Sequence, residues 1–163
     1  MVQDSPATAF IGLGSNLDDP KAQITRALVE LSALPGTRVL AHSALYRTPP
    51  MGPSEQPDYI NAVAKLETHL EPLMLLDALQ ALERSHHRVR EFHWGPRTLD
   101  LDILIVDQRL LTSERLTLPH PGIAERAFVV IPLYEIAPTL TIPGIGPISR
   151  VRERFATAVI SRL

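Results

Sequence analysis

Cysteine is absent from the 163 residues, which excludes disulfides, thiolate metal sites and cysteine nucleophiles. Charge of one sign is not in excess either, since 16 Lys and Arg against 18 Asp and Glu give a formal net charge of -2. A global basic field that would draw nucleic acid is therefore missing, and any anion site must be local. No apolar run approaches the roughly 18 residues that a bilayer span needs. The opening Met1-Val2-Gln3-Asp4-Ser5-Pro6 has neither the basic start nor the apolar core of a signal peptide. A cytoplasmic protein is expected, with no membrane partner and no nucleic-acid partner. The phosphate-binding patterns G-x-G-x-x-G and G-x-x-x-x-G-K-[ST] and the zinc pattern H-E-x-x-H do not occur. What is present is ordinary: 45% hydrophobic and 21% charged residues suit one globular domain over 1–163.

Residues 9–14 form a short apolar run that reads as a first strand. Asp18 or Asp19 caps the helix that follows, with Pro20 at its first position. Ile24, Ala27, Leu28 and Leu31 recur at helical spacing until Pro35-Gly36 stops the run. Residues 37–46 are β-rich and predict a second strand, and the prolines of 48–53 forbid regular structure. Residues 59–68 alternate as a third strand, and Pro72 opens a second helix that runs to about residue 86. Residues 87–96 are polar and basic and read as a loop, 99–106 as a fourth strand, and 125–136 as a third helix interrupted by Pro132. The order β-α-β-β-α-β is that of an α+β, ferredoxin-like sandwich with a mainly antiparallel sheet. Its helices are expected on one face, which leaves the other free for a site.

The most informative stretch is Trp94-Gly95-Pro96-Arg97-Thr98-Leu99-Asp100-Leu101-Asp102-Ile103. Strand alternation there sends Asp100 and Asp102 to the same side, about 7 Å apart at their Cα atoms. Two carboxylates that close repel unless a cation lies between them, and Mg²⁺ completed by substrate phosphates suits such a pair. The plainer alternative is an amphipathic strand with a solvated acidic face. Arg84, Arg88, Arg90 and Arg97 precede or flank the pair, and Arg115, Thr117, His120 and Arg126 follow it. Guanidinium groups offer planar, permanently charged donors to phosphate oxygens, although each arginine singly is more often solvated surface. Acid pair and arginine cluster together suit phosphoryl transfer. Gly12-Leu13-Gly14-Ser15-Asn16 sits between a strand and a helix, where backbone N–H groups could meet an anion, with a tight strand-to-helix turn as the plainer account of the two glycines. Trp94 is either a stacking platform or a core anchor. Tyr59 and Asn61 share a strand face, suited to stacking on a heterocycle and bonding its edge, or forming an ordinary polar sheet face.

Taken together, Gly14-Ser15-Asn16, Tyr46-Arg47-Thr48-Pro49-Pro50, Gln56-Pro57-Asp58-Tyr59-Ile60-Asn61, Arg88-Val89-Arg90, the run from Trp94 to Ile103, and Glu114-Arg115-Leu116-Thr117-Leu118-Pro119-His120 closely resemble the 6-hydroxymethyl-7,8-dihydropterin pyrophosphokinase family. The resemblance implies transfer of the β,γ-diphosphate of ATP to the pterin hydroxymethyl group, with AMP released, in folate synthesis. It implies two Mg²⁺ ions on Asp100 and Asp102, with Arg88 and Arg97 as catalytic phosphate clamps. Gln80, Glu83, Arg90, Trp94, Ile103, Arg115, Thr117 and His120 correspond to nucleotide positions, and Arg126 is grouped with them. Thr48, Pro49, Met51, Tyr59, Asn61 and Phe128 resemble the pterin pocket, the ring lying between Tyr59 and Phe128. The partners implied are small molecules, ATP and a reduced hydroxymethyl pterin, acting on a monomer. Departures are His93, where some relatives carry a basic residue, a loop around Glu91-Phe92 one residue shorter, and Pro121 in place of tyrosine.

Two other readings compete. A metal-dependent nucleotide phosphohydrolase would use the same acids and turn over without pterin. A nucleic-acid module on the open sheet would need an aromatic pattern such as K/R-G-F/Y-G/A-F-V-x-F/Y, which is absent.

Overall fold

The computed structural model describes residues 2–49, 57–86 and 98–163. In chain order these form β1 (Val2–Ser15), α1 (Pro20–Ser32), β2 (Thr37–His42), β3 (Tyr46–Thr48), β4 (Tyr59–Leu70), α2 (Pro72–His86) and β5 (Asp100–Val106). Next come a hairpin of β6 (Leu111–Thr112) and β7 (Thr117–Leu118), then α3 (Ala127–Ile136). A second hairpin of β8 (Thr141–Ile142) and β9 (Gly146–Pro147), α4 (Ile148–Glu153) and β10 (Ser161–Arg162) complete the set. The main sheet runs β10-β3-β4-β1-β5, with β2 also on β4, and all its pairings are antiparallel. With β2 and β3 taken as one interrupted strand, this is the ferredoxin-like βαββαβ sandwich that the element order predicts. Among the described residues, no helix is long and apolar enough to cross a membrane.

Alternation along the strands divides the apolar residues between two cores. Ala9, Ile11 and Leu13 of β1, Ile60, Ala62 and Ala64 of β4, and Leu101 and Ile103 of β5 meet Ile24, Ala27 and Leu31 of α1 and Leu75 and Leu79 of α2. Asp19 begins α1 as its N-cap, accepting from the Ala22 N–H at 3.5 Å, with Pro20 following. On the opposite face Phe10, Val63, Leu104 and Ile105 meet Val129, Val130 and Leu133 of α3 and Ile148 and Val151 of α4.

That second core corrects the expectation of a sheet face left wholly free. α3 is apolar around most of its circumference, so it needs a surface to cover, and it takes the half of the face beyond Gly12. The second strand also differs from its expected span. It breaks at Ser43, which bonds β4 in place of a regular ladder: its N–H donates to the Val63 carbonyl at 2.8 Å, and its Oγ accepts from the Val63 N–H at 2.9 Å. The first strand begins earlier than predicted because Pro6 sits where the β1–β4 register shifts, between Val2 and Ala7, a position that does not need its missing N–H. The glycines Gly12 and Gly14 lie within β1, not in a turn after it. The expected loops fall on 50–56 and 87–97, outside the described residues.

Candidate active site

The sheet register assembles the site. Gly14 pairs with Asp100 on one side and with Asn61 on the other, and Asn61 in turn pairs with Tyr46. Gly12 pairs with Asp102 and with Val63. Opposed residues of antiparallel strands point to the same face, so Asp100, Asp102, Tyr59 and Asn61 all stand on the face that carries α3. The two acids thus share a side, as the strand pattern predicts. Each faces a glycine across the ladder, so β1 puts no side chain between the acids and the β4 residues; Leu104 lies over Gly12 and Asn61 Oδ1 over Gly14. This use of the glycines is not legible in the sequence as such. Its only trace is their spacing of two inside an apolar run, which matches the strand period.

Gly14 is the tighter position. A Cβ placed there would stand 3.0 Å from Asn61 Oδ1, whereas one at Gly12 would meet Leu104 at an ordinary 3.5 Å. Asn61 is buried and its Nδ2 donates to Thr48 Oγ1 at 2.9 Å. That bond fixes which way the amide faces and leaves Oδ1 over the glycine strip. Pro49 follows Thr48 on the exposed side. Asn16 Nδ2 donates to the Pro57 carbonyl at 3.2 Å and ties the exit of β1 to the approach to β4.

On the β5 side, Asp102 is exposed and Asp100 half-buried. Leu101, between them, donates its N–H to Glu83 Oε2 of α2 at 2.8 Å. Glu83 therefore uses one oxygen to hold the strand from the helix face. Ile103 points into the core under α1 and α2, so any nucleotide contact from it is through the backbone at the sheet edge. β5 is the edge strand, and the His120 N–H donates to the Leu104 carbonyl there at 2.9 Å. His120 Nδ1 accepts from the Gly122 N–H at 3.0 Å, which puts the ring proton of neutral His120 on Nε2. Burial pushes its pKa below the usual histidine range, opposed by the Asp102 carboxylate and aided by Arg126. Gly122 also allows Arg126 to pass close, since a Cβ there would lie 2.8 Å from Arg126 Nε. The Arg126 guanidinium in turn sits 5.8 Å from the Phe128 ring centroid, within cation–π range.

Asp102, His120, Arg126 and Phe128 are thus linked in one chain of near neighbours. Arg115 is held elsewhere: its Nη2 donates to Asp77 and, at 3.3 Å, to Gln80 Oε1. Gln80 and Arg115 therefore meet on the α2 side, with Thr117 two residues on, half-buried in β7. Arg88, Arg90, Trp94, Arg97 and Met51 lie outside the described residues. Among the described residues no group of three or more His, Asp or Glu gathers to hold a metal. A pair of carboxylates fits a hard cation that takes its remaining oxygens from phosphates and water.

The family model for 7,8-dihydro-6-hydroxymethylpterin-pyrophosphokinase matches residues 10–138. A 2-amino-4-hydroxy-6-hydroxymethyldihydropteridine pyrophosphokinase of Haemophilus influenzae is 48% identical over 149 residues, covering 91% of this chain and 93% of its own. The Pseudomonas aeruginosa protein of the same name is 52% identical over 134 residues, 82% of this chain and 83% of its own. Among solved structures, an HPPK-DHPS of Plasmodium falciparum matches 95% of this chain with a TM-score of 0.75 at 13% identity. This chain spans 46% of that one, and at such identity the likeness speaks for the fold alone. On the family match and these two relatives, the chain belongs to the 7,8-dihydro-6-hydroxymethylpterin pyrophosphokinase family.

Proposed function

We propose that Asp100 and Asp102 hold the two Mg²⁺ ions with which this chain passes the β,γ-diphosphate of ATP, as one unit, to the hydroxymethyl oxygen of 6-hydroxymethyl-7,8-dihydropterin in folate synthesis. The observation that carries this reading is the row Asp100–Gly14–Asn61 across the sheet. It offers acids for a metal–triphosphate at one end, an oriented amide for a heterocycle at the other, and a glycine between, where β1 carries no side chain. When bound, the ions neutralise phosphate charge and favour loss of the attacking hydroxyl's proton.

The chain's own residues bind and align. Asn61 reads the polar edge of the pterin, with Thr48 holding the amide and Tyr59 and Phe128 stacking on the ring. His120 offers Nε2–H, and Arg126 and Arg115 offer guanidinium donors, to the nucleotide. Gln80 and Thr117 lie beside Arg115 on that side, and Glu83 keeps β5 in place. Arg88 and Arg97 clamp the transferred phosphates, Arg90, Trp94 and the Ile103 backbone take the nucleotide, and Pro49 and Met51 flank the pterin, all by resemblance. In the transfer, the hydroxymethyl oxygen bonds to the β-phosphorus and its proton passes to water, the β-phosphorus bond to the α,β-bridging oxygen breaks, and AMP leaves with that oxygen. Holding both reactants in line lowers the barrier by removing the entropy of their encounter.

We read residues 1–163 as one domain, since both cores share a single sheet. We read it as a monomer acting on small molecules in the cytoplasm, and the net charge of -2, which leaves no global basic field, speaks against a nucleic-acid partner. The test is to incubate the protein with ATP and Mg²⁺, with and without the reduced pterin alcohol. AMP and pterin diphosphate should form only when the pterin is present. Equal ATP turnover without it would favour a phosphohydrolase instead. The glycine strip gives a second test. Gly14→Ala should raise the pterin KM about tenfold, because its Cβ displaces the Asn61 amide, while Gly12→Ala should change it less than about twofold. Similar effects of the two substitutions would remove the case for the strip.

A further inference from the structure

Behind the pterin side of the site, three elements and the connection between β2 and β3 meet at one carboxylate. Glu135, near the end of α3, accepts from the Tyr46 hydroxyl of β3 at 2.6 Å. It also accepts from the Ala44 N–H, through Oε2 at 3.0 Å and Oε1 at 3.2 Å. Arg162 of β10 lies 3.8 Å from its Oε2. The carboxylate is three-quarters shielded from solvent, where such charge-assisted bonds are stronger than at an open surface. Burial and the neighbouring Glu135 push the Tyr46 pKa to about 12, against Arg162 and Arg152, which act to lower it. The hydroxyl therefore stays protonated and donates across any working pH.

Two facts link this junction to the ligand pocket. Tyr46 is the register partner of Asn61, and Thr48, two residues on along β3, is the group that holds the Asn61 amide. Phe128 lies seven residues before Glu135 in α3, which puts it two turns away on the same side of the helix. Between them Pro132 has no N–H to give the Phe128 carbonyl, so the helix ladder is thinner at the Phe128 end. Val129 and Val130 seat that end of the helix on the second core, and Glu135 ties the other end to Tyr46 and Ala44.

We propose that Glu135 is a positioning residue for the pterin: by clamping α3 to β3 through Tyr46, and to the connection before β3 through Ala44, it sets the spacing between Phe128 and the Thr48–Asn61 pair. It touches no substrate itself. This rests on the reading of that pocket as the pterin site.

The test uses Glu135→Gln, Tyr46→Phe and the double variant, with kcat and both KM values read from AMP formation. Pterin affinity is read independently by fluorescence titration in the presence of a non-reactive ATP analogue. Glu135→Gln should raise the pterin KM and Kd about tenfold and Tyr46→Phe about threefold, with the ATP KM held within about twofold. The double variant should be no worse than Glu135→Gln alone, because both break one clamp. An unchanged pterin Kd in folded Glu135→Gln, or a parallel rise in both KM values, overturns the proposal. Should Glu135→Gln fail to fold, Tyr46→Phe decides by the same criterion. A wild-type protein that binds pterin yet makes no AMP would refute the transfer reaction alone, and the Kd comparison would still judge Glu135. One that does neither would overturn both.

Discussion

Asp102→Ala is expected to lower kcat by at least about a thousandfold while the protein stays folded. The side chain is exposed at the sheet edge, where truncation costs little packing, and removing one of two like charges relieves repulsion in the metal-free protein. Melting temperature should therefore hold or rise slightly as activity vanishes. A lost carboxylate removes a ligand to a cation that stabilises the moving phosphates, an effect of several kcal/mol in the barrier. Asp100→Ala should behave alike in turnover. Steady-state assay over a wide Mg²⁺ range, beside thermal melts, checks the expectation. Variants of both that kept near-native rates at every Mg²⁺ concentration would show that these acids are only a solvated strand face.

Asn61→Ala should separate the two substrates. The pterin Kd should rise about a hundredfold, about 2–3 kcal/mol, because the ring's polar edge would lose its partner in a desolvated pocket. The ATP Kd should stay within about twofold, since the amide lies across the glycine strip from the acids. Isothermal titration with each ligand measures both numbers. Equal weakening of the two would mean that Asn61 supports the sheet and reads no substrate. Thr48→Val offers a milder version of the same change, since it frees the amide that Thr48 Oγ1 holds; about a tenfold loss is expected, again for pterin alone.

The strands and helices that carry the site were legible because their periodicity is local. Asp100 and Asp102 had to share a face once 100–106 was extended, and Tyr59 and Asn61 likewise. The helix start at Asp19-Pro20 is a matter of capping and a fixed φ, both readable within four residues. The apolar run 127–136 showed a helix but not its neighbour, since a segment apolar on nearly every side has no face that names a partner. Hence nothing in the run itself says that it covers half of the second sheet face. Gly12 and Gly14 are ambiguous in sequence because glycine marks turns and close approaches alike, and only the partners across the ladder decide which.

Glu135 shows the same division from the other direction. In the sequence it is one acid at the end of an apolar helix, with nothing near it in number to answer it. Tyr46 is 89 residues away, and the two meet only because β3 and α3 occupy adjoining layers. The sequence by itself determined the βαββαβ order, the pairing of acids on one strand and the family to which those motifs belong, because each depends on spacing within a short run. Tertiary structure alone decided what lies opposite each acid, which way Asn61 faces and what anchors the helix that bears Phe128. Those depend on register between strands distant in the chain, where a shift of one residue would turn every side chain to the other face.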